Sequence, residues 1–151
     1  MKHLIKNEKE LENTAENLID RLNDQNHKSA QIIALYGNLG AGKTTFTKEI
    51  ANYLKILEKI TSPTFNILKT FEIKNPENKN IKFKKLIHID TYRLDLPEEL
   101  ERLGFLDLIN DSENLIVIEW PEIVEEILPK NTVKVKFKIV DHTTRELDIS
   151  E

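Results

Sequence analysis

The apolar residues in the first half of the chain alternate between strand and helix spacing. A short apolar segment at 3–6 is followed, from Glu8 to about Asn23, by a helical stripe of Leu11, Ala15, Leu18 and Leu22. The mainly apolar run Gln31–Tyr36 is typical of a buried strand. A second helical stripe follows at Phe46, Ile50, Leu54 and Leu57. The pattern predicts an edge strand, a helix, a buried strand and a second helix.

The second half continues this alternation. Segments 66–73, 83–89 and 114–118 have the apolar character of strands, and 96–104, 105–109 and 121–128 are predicted to be helical. Alternating apolar residues at 133–139 and 146–150 flank a polar turn and predict an antiparallel hairpin. Strands that alternate with helices favour a three-layer α/β fold with a mixed, mainly parallel central sheet. At 151 residues without a linker, we expect a single domain spanning 1–151.

A glycine-rich loop lies between the first buried strand and the helix after it. Residues 37–44, GNLGAGKT, match G-x-x-x-x-G-K-[ST], the phosphate-binding loop of nucleotide hydrolases and kinases. Glycine adopts positive φ and has no side chain, so backbone N–H groups can surround phosphate oxygens. Lys43 can reach the β- and γ-phosphates, and Thr44 supplies a hydroxyl for Mg²⁺. The strand and helix on either side disfavour the alternative of a chance glycine-rich turn.

The motif therefore predicts a nucleoside triphosphate site and a P-loop NTPase-like fold. The phosphates would lie at the amino end of the second helix, where the helix dipole favours negative charge. Three of the chain's four glycines lie in this loop. The predicted contacts are Gly37, Asn38, Leu39, Gly40, Ala41, Gly42, Lys43, Thr44 and Thr45.

Two acidic residues follow predicted strands in the second half. Asp90 comes directly after segment 83–89, and Glu119 directly after 114–118. Because ligands of open α/β sheets bind beyond the carboxyl ends of the strands, both are candidates for Mg²⁺ or for positioning an attacking water. Aspartate is also a common turn and cap residue, so capping is an alternative for Asp90.

Two further residues are candidates for nucleotide contacts. Thr64, in the turn TSPTF at 61–65, could offer its hydroxyl to Mg²⁺ or the γ-phosphate, although these residue types are also typical of an ordinary turn. Trp120, the only tryptophan of the chain, could stack on a base or could pack in the core.

Composition narrows the classes of function. The net charge of −4 disfavours stand-alone nucleic-acid binding, which usually needs a basic face. No apolar run approaches the roughly 18 residues of a membrane span, and nothing resembles a signal peptide. The absence of cysteine excludes disulfides and zinc–thiolate sites and is consistent with a cytoplasmic protein.

Taken together, the motifs resemble one family. GNLGAGKTTF, SPTF, HIDTYR, LPEELERLG and VIEWPE occur in this order, and the chain is similar to the TsaE (YjeE) family of small bacterial ATPases. The phosphate loop alone is generic, whereas H-x-D-x-Y-R followed by E-W-P is much more specific. The resemblance covers residues 31–122 and, more loosely, the rest of the chain to its end.

The resemblance implies an Mg²⁺-dependent ATPase of the threonylcarbamoyladenosine pathway. It implies a TsaD–TsaB heterodimer as the partner, which transfers a threonylcarbamoyl group to adenosine in tRNA. Hydrolysis of ATP would reset that complex, and tRNA would be met only through it.

The family's site residues are carried over where the motifs match. Lys43 and Thr44 would hold phosphate and Mg²⁺, and Thr64 would lie in a switch-like loop. Asp90 and Glu119 would flank Mg²⁺ and the attacking water, and Trp120 would lie against adenine. Family members often carry Glu-Thr where this chain has Glu10-Leu11, so a threonine contact to the nucleotide is not carried over.

A small-molecule kinase and a nucleotide-dependent binding switch remain alternatives. Kinases close a lid over two substrates and need several cations around the transferred phosphoryl group. This chain has four arginines, and only Arg93 lies in a motif. Residues 78–80, NKN, fall short of the guanine-reading Asn-Lys-x-Asp, which disfavours a GTPase.

We expect Lys43→Ala to abolish productive ATP binding and to leave the fold intact, because the lysine serves phosphate rather than the core. Calorimetric titration with ATP and a thermal unfolding curve measure the two effects. Unchanged affinity for ATP, or an unfolded variant, would contradict the motif assignment.

Overall fold

Helices and strands alternate along the chain in a computed structural model that describes residues 1–61, 66–74 and 80–151. The helices are α1 (Glu8–Asp24), α2 (Lys43–Tyr53), α3 (Pro97–Arg102), α4 (Phe105–Ile109) and a 3₁₀ helix (Pro121–Ile127). The strands are β1 (Lys2–Ile5), β2 (Gln31–Tyr36), β3 (Leu68–Glu72), β4 (Lys85–Asp90), β5 (Asn114–Glu119), β6 (Val133–Ile139) and β7 (Arg145–Ser150).

Seven strands in the described part of the chain form one sheet, in the order β1-β7-β6-β2-β5-β4-β3. The central strands β6, β2, β5 and β4 pair in parallel. The pairings of β1 with β7, β7 with β6, and β3 with β4 are antiparallel. The predicted mixed sheet, with a parallel centre and an antiparallel carboxyl-terminal hairpin, is confirmed.

Helices cover both faces of the central strands, because alternate strand residues point to opposite sides. On one face, α1 and α2 pack against a core that includes Ile33, Leu35, Leu86, Leu115 and Val117. On the other, α3, α4 and the 3₁₀ helix pack against Ile32, Ile87, Ile89, Ile116 and Ile118. None of the helices in the described ranges is both long and apolar enough to span a bilayer.

Helix α2 ends earlier than its apolar stripe predicts. Lys55 has a φ of 57°, which reverses the chain just after Tyr53. Leu57, predicted to lie on the buried stripe, is 95% exposed, so that prediction is wrong. Helical spacing continued in the sequence by chance after the helix itself had ended. Segment 121–128 is helical as predicted, but its geometry is 3₁₀.

Phe105 lies at the start of α4, in the core between the sheet and α3, α4 and the 3₁₀ helix, and its side chain is fully buried. We expect Phe105→Ala to lower the free energy of unfolding by about 3–5 kcal/mol, through lost transfer energy and a cavity. Leu106 is 54% exposed and serves as the matched control; Leu106→Ala should change stability by about 0.5 kcal/mol or less. Urea denaturation measures both, and equal losses would argue against this core.

Candidate functional site

The phosphate-loop motif connects the end of β2 to the start of α2. Gly37 and Gly42 have φ of 141° and 106°, which residues with a side chain rarely adopt. A Cβ atom on Gly37 would also lie 2.8 Å from the backbone oxygen of Phe137 on β6. Glycine is therefore required at position 37 by both conformation and contact, and β6 forms one wall of the loop.

Lys43, the first residue of α2, turns its side chain back toward the loop. Its Nζ atom donates hydrogen bonds to the backbone oxygens of Gly37 and Asn38, the second at 3.0 Å. The ring of Trp120 covers the same ammonium, with its centroid 3.6 Å from Nζ. These contacts leave Lys43 only 5% exposed.

The surroundings of Lys43 combine burial with negative charge. Burial is the largest effect and lowers the pKa of its ammonium, while the carboxylates of Glu119, Glu122 and Asp90 raise that pKa. Phosphate oxygens beside the ammonium would favour its charged form further. Lys43 is therefore placed to exchange its carbonyl partners for phosphate.

Glu119 ends β5 and is 2% exposed, which is unusual for a carboxylate. Its Oε2 atom accepts a hydrogen bond of 2.9 Å from the hydroxyl of Thr44 in α2. Its Oε1 atom lies 2.9 Å from Nε2 of His88 on β4 and 3.5 Å from the hydroxyl of Thr47. Both carboxylate oxygens are thus held by side chains from the neighbouring helix and strand.

Asp90 lies beside Glu119 because β4 and β5 are parallel and pair these two residues in register. It is partly exposed, and its Oδ1 atom accepts the backbone N–H of Tyr92 at 3.0 Å. The bond to Tyr92 is the turn-capping contact that the sequence offered as the alternative for Asp90. The same carboxylate also faces the phosphate loop, so capping and a place in the site are compatible.

Thr44, Asp90 and Glu119 share a cleft of about 260 Å³ with the phosphate loop and Trp120. Hydroxyl and carboxylate oxygens are the ligands that Mg²⁺ prefers, so this donor set fits that cation. Within the described residues, no cluster of three or more histidine, cysteine or acidic side chains could hold a metal. The three oxygen donors would leave the other positions around such a cation to phosphate and water, as is usual for Mg²⁺.

Trp120 follows β5 in a left-handed conformation, with φ of 59° and ψ of 49°. The hydroxyl of Thr91 has one hydrogen to donate, lies within hydrogen-bond distance of the backbone oxygens of both Glu119 and Trp120, and holds this turn. The indole is partly exposed and lies 5.0 Å from the ring of Tyr92, centroid to centroid. Trp120 thus faces the cleft and the Lys43 ammonium.

A second groove, of about 400 Å³, lies against residues 40–42 and 45 of the loop. Its other walls come from the start of α1 and from the carboxyl-terminal hairpin. The lining combines apolar side chains with polar and charged ones. The apolar ones are Ile5, Leu11, Ala41, Phe137 and Leu147, and the others are Lys6, Asn7, Glu8, Thr45, Thr143 and Arg145.

The structure brings most of the predicted site residues together. Residues 39–45, with Asp90, Glu119 and Trp120, line the cleft, and Gly37 and Asn38 contact Lys43. Leu39 is 82% exposed at the tip of the loop. Thr64 lies outside the described residues.

Thr47 and Thr91 escaped the sequence analysis, and His88, although it shares a strand face with Asp90, was not among the predicted site residues. Thr47 lies one helical turn after Thr44, and His88 lies two strand positions before Asp90, so spacing alone could have suggested both. Thr91 has no such local signal, because its role depends on the pairing of β4 with β5.

Comparisons with known proteins point to one family. The family model described as "Threonylcarbamoyl adenosine biosynthesis protein TsaE" matches residues 5–147. The Rickettsia typhi protein named "tRNA threonylcarbamoyladenosine biosynthesis protein TsaE" is 37% identical over 150 residues, covering 99% of this chain and 94% of its own. The Bacillus subtilis protein of the same name is 36% identical over 120 residues, covering 80% and 69%.

A comparison of folds also leads to this family. The crystal structure of YdiB from Bacillus subtilis matches with a TM-score of 0.69 at 27% identity, covering 97% of this chain and 82% of that one. The family model spans almost the whole chain, and the phosphate loop, the paired acids and Trp120 occupy one cleft. On this evidence the chain belongs to the TsaE family.

Proposed function

We propose that this chain binds ATP with Mg²⁺ and hydrolyses it in support of threonylcarbamoyladenosine formation in tRNA. The observation that carries the proposal is the 2.9 Å hydrogen bond between the Thr44 hydroxyl and the buried Glu119 carboxylate. In phosphate-loop NTPases a hydroxyl at this motif position and an acidic residue at a strand end hold the cation together. We propose that residues 1–151 act as one nucleotide-binding domain.

Each residue of the cleft would have a separate role in binding or hydrolysis, set by where it lies. Backbone N–H groups of the loop and the Lys43 ammonium would hold the β- and γ-phosphates. Thr44 and Glu119 would supply oxygen ligands to Mg²⁺, which neutralises phosphate charge and orients the phosphates when bound. Asp90, at the more exposed side of the pair, would orient the attacking water.

The base would lie in the second groove rather than on Trp120. The Trp120 ring covers the ammonium that reaches the β- and γ-phosphates, so it lies at the phosphate end of the site. The α-phosphate and ribose separate the base from that end. The groove begins at the same loop residues, and its lining offers both apolar side chains, such as Leu11 and Phe137, and polar groups for a base. We therefore propose that Trp120 contacts the γ-phosphate end, which differs from the adenine stacking inferred from the resemblance.

The partner part of the proposal rests on the family. Relatives of this chain are named for threonylcarbamoyladenosine biosynthesis, and we propose a TsaD–TsaB heterodimer as the partner, in the cytoplasm. With a net charge of −4, the chain would meet tRNA only through that complex. A partner-supplied arginine can raise a nucleotidase rate by about 10³–10⁵, so we expect slow hydrolysis by the chain alone.

Glu119→Gln tests the activity itself. It keeps the shape and removes the charge beside Thr44, so we expect phosphate release to fall by at least about 100-fold while ATP stays bound. Glu126→Gln is the matched control: it removes the same charge from an exposed position outside the lining of the cleft and should retain most activity.

The measurement is phosphate release, with and without TsaD–TsaB, together with a screen for phosphorylated small molecules. Equal loss in both variants would contradict the role of Glu119. A phosphorylated product would indicate a kinase, and nucleotide binding without phosphate release would indicate a binding switch.

Trp120→Ala separates the two placements of the base. If the ring acts on Lys43 and the γ-phosphate, the substitution should weaken binding of AMP-PNP by about 2- to 30-fold and change ADP affinity much less, since a cation–π contact contributes about 0.5–2 kcal/mol. Trp120→Phe should recover part of the affinity. Calorimetric titration measures the affinity for each nucleotide. An equal loss of affinity for ADP and AMP-PNP would favour stacking of Trp120 on adenine.

A further inference from the structure

His88 occupies a core position of the sheet. It lies on β4 and faces the side covered by α1 and α2, and its side chain is fully buried. On that face of β4 and β5, Leu86, Leu115 and Val117 surround it on the core side, and Asp90 and Glu119 follow at the strand ends. A leucine or methionine at position 88 would fill the same space without a buried polar atom.

The imidazole makes one directed contact. Its Nε2 atom lies 2.9 Å from Oε1 of Glu119. A carboxylate that ligates a cation is ionised and can only accept, so in that state Nε2 carries the hydrogen of this bond. Nδ1 is buried and has no hydrogen-bond partner among the described residues. Burying that second nitrogen without a partner is unfavourable, so packing alone does not explain a histidine here.

The other two side chains that contact the Glu119 carboxylate would hold it less firmly: one contact is longer, and the other involves a proposed Mg²⁺ ligand. The Thr47 hydroxyl is 3.5 Å from Oε1, at the limit of a hydrogen bond. Thr44 holds Oε2, but its hydroxyl is the proposed ligand of Mg²⁺. The terminal torsion of glutamate is broad and roughly two-fold, so the carboxylate needs a fixed partner to keep one orientation.

We infer that His88 is a positioning residue: it holds Oε1 of Glu119 so that Oε2 faces Thr44 and the phosphate end of the cleft. It acts through Glu119 and touches neither nucleotide nor cation. The inference rests on the proposed function, because it gives Glu119 its orientation toward Mg²⁺. Hydrogen-bond partners of metal ligands typically change metal affinity or activity by 10–100-fold when they are removed.

The test compares His88→Met with His88→Gln. Both replacements are flexible and similar in size to histidine, but only glutamine keeps a donor near the place of Nε2. Calorimetric titration with AMP-PNP is carried out in EDTA and across a series of Mg²⁺ concentrations. We expect metal-free affinity within about two-fold of the unmodified chain in both variants. The Mg²⁺ concentration for half-maximal tightening should rise about 10–100-fold in His88→Met and largely recover in His88→Gln.

A double-mutant cycle shows whether His88 acts through Glu119. In a Glu119→Gln background, His88→Met should have little further effect on the Mg²⁺ dependence. If the two residues acted independently, the free-energy changes of the two substitutions would add. Thr47→Val removes the longer contact to the same oxygen and should have a much smaller effect than His88→Met.

The outcomes separate this inference from the proposed function. If the unmodified chain binds AMP-PNP equally with and without Mg²⁺, the proposed metal site is wrong. If Mg²⁺ tightens binding and His88→Met retains that tightening unchanged, the positioning role is wrong. If His88→Met fails to fold, His88→Leu takes its place in the same titrations: a loss of about ten-fold or more in Mg²⁺ affinity supports the inference, and unmodified affinity overturns it.

Discussion

The buried carboxylate of Glu119 is the constraint on which the arrangement of this site depends. A carboxylate removed from water destabilises a fold unless hydrogen bonds or a cation compensate its charge. Glu119 is 2% exposed, and its two oxygens meet Thr44, Thr47 and His88. These partners come from α2 and β4, so one group links the packing of helix on sheet to the chemistry of the phosphate end.

Strand alternation explains how the same sheet serves both core and site. The face toward α3 and α4 stays apolar to the ends of the strands, at Ile89 and Ile118. The opposite face changes from apolar to polar over the last residues, where Val117 is followed by Glu119 on β5. Because β4 and β5 are parallel and in register, both polar ends meet at one edge beside the loop. On this face, residues in the middle of a strand therefore belong to the core, and residues at its carboxyl end belong to the site.

Local signals account for the parts of the fold and site that could be predicted from sequence. Glycine spacing marks the phosphate loop, apolar runs mark the central strands, and an acid after each run marks Asp90 and Glu119. The contact between His88 and Glu119 joins residues 31 apart in sequence and depends on strand register, which no local pattern contains. The end of α2 was missed for a related reason: the positive φ of Lys55 has no marker in its residue type. Trp120 was singled out from sequence as a candidate contact to the base. Its contact with Lys43 could not be predicted, because that contact depends on the folded turn that Thr91 holds.

The wall that β6 provides behind Gly37 has a consequence for the order of folding. The glycine motif and its helix are synthesised early, but the backbone oxygen of Phe137 that borders the loop belongs to a strand near the carboxyl end. That strand pairs directly with β2, so the strand that borders the loop reaches it by a pairing of long sequence separation, the kind that forms slowly because a large loop must close. A nascent chain would therefore carry the complete motif for some time before this wall of the loop was in place.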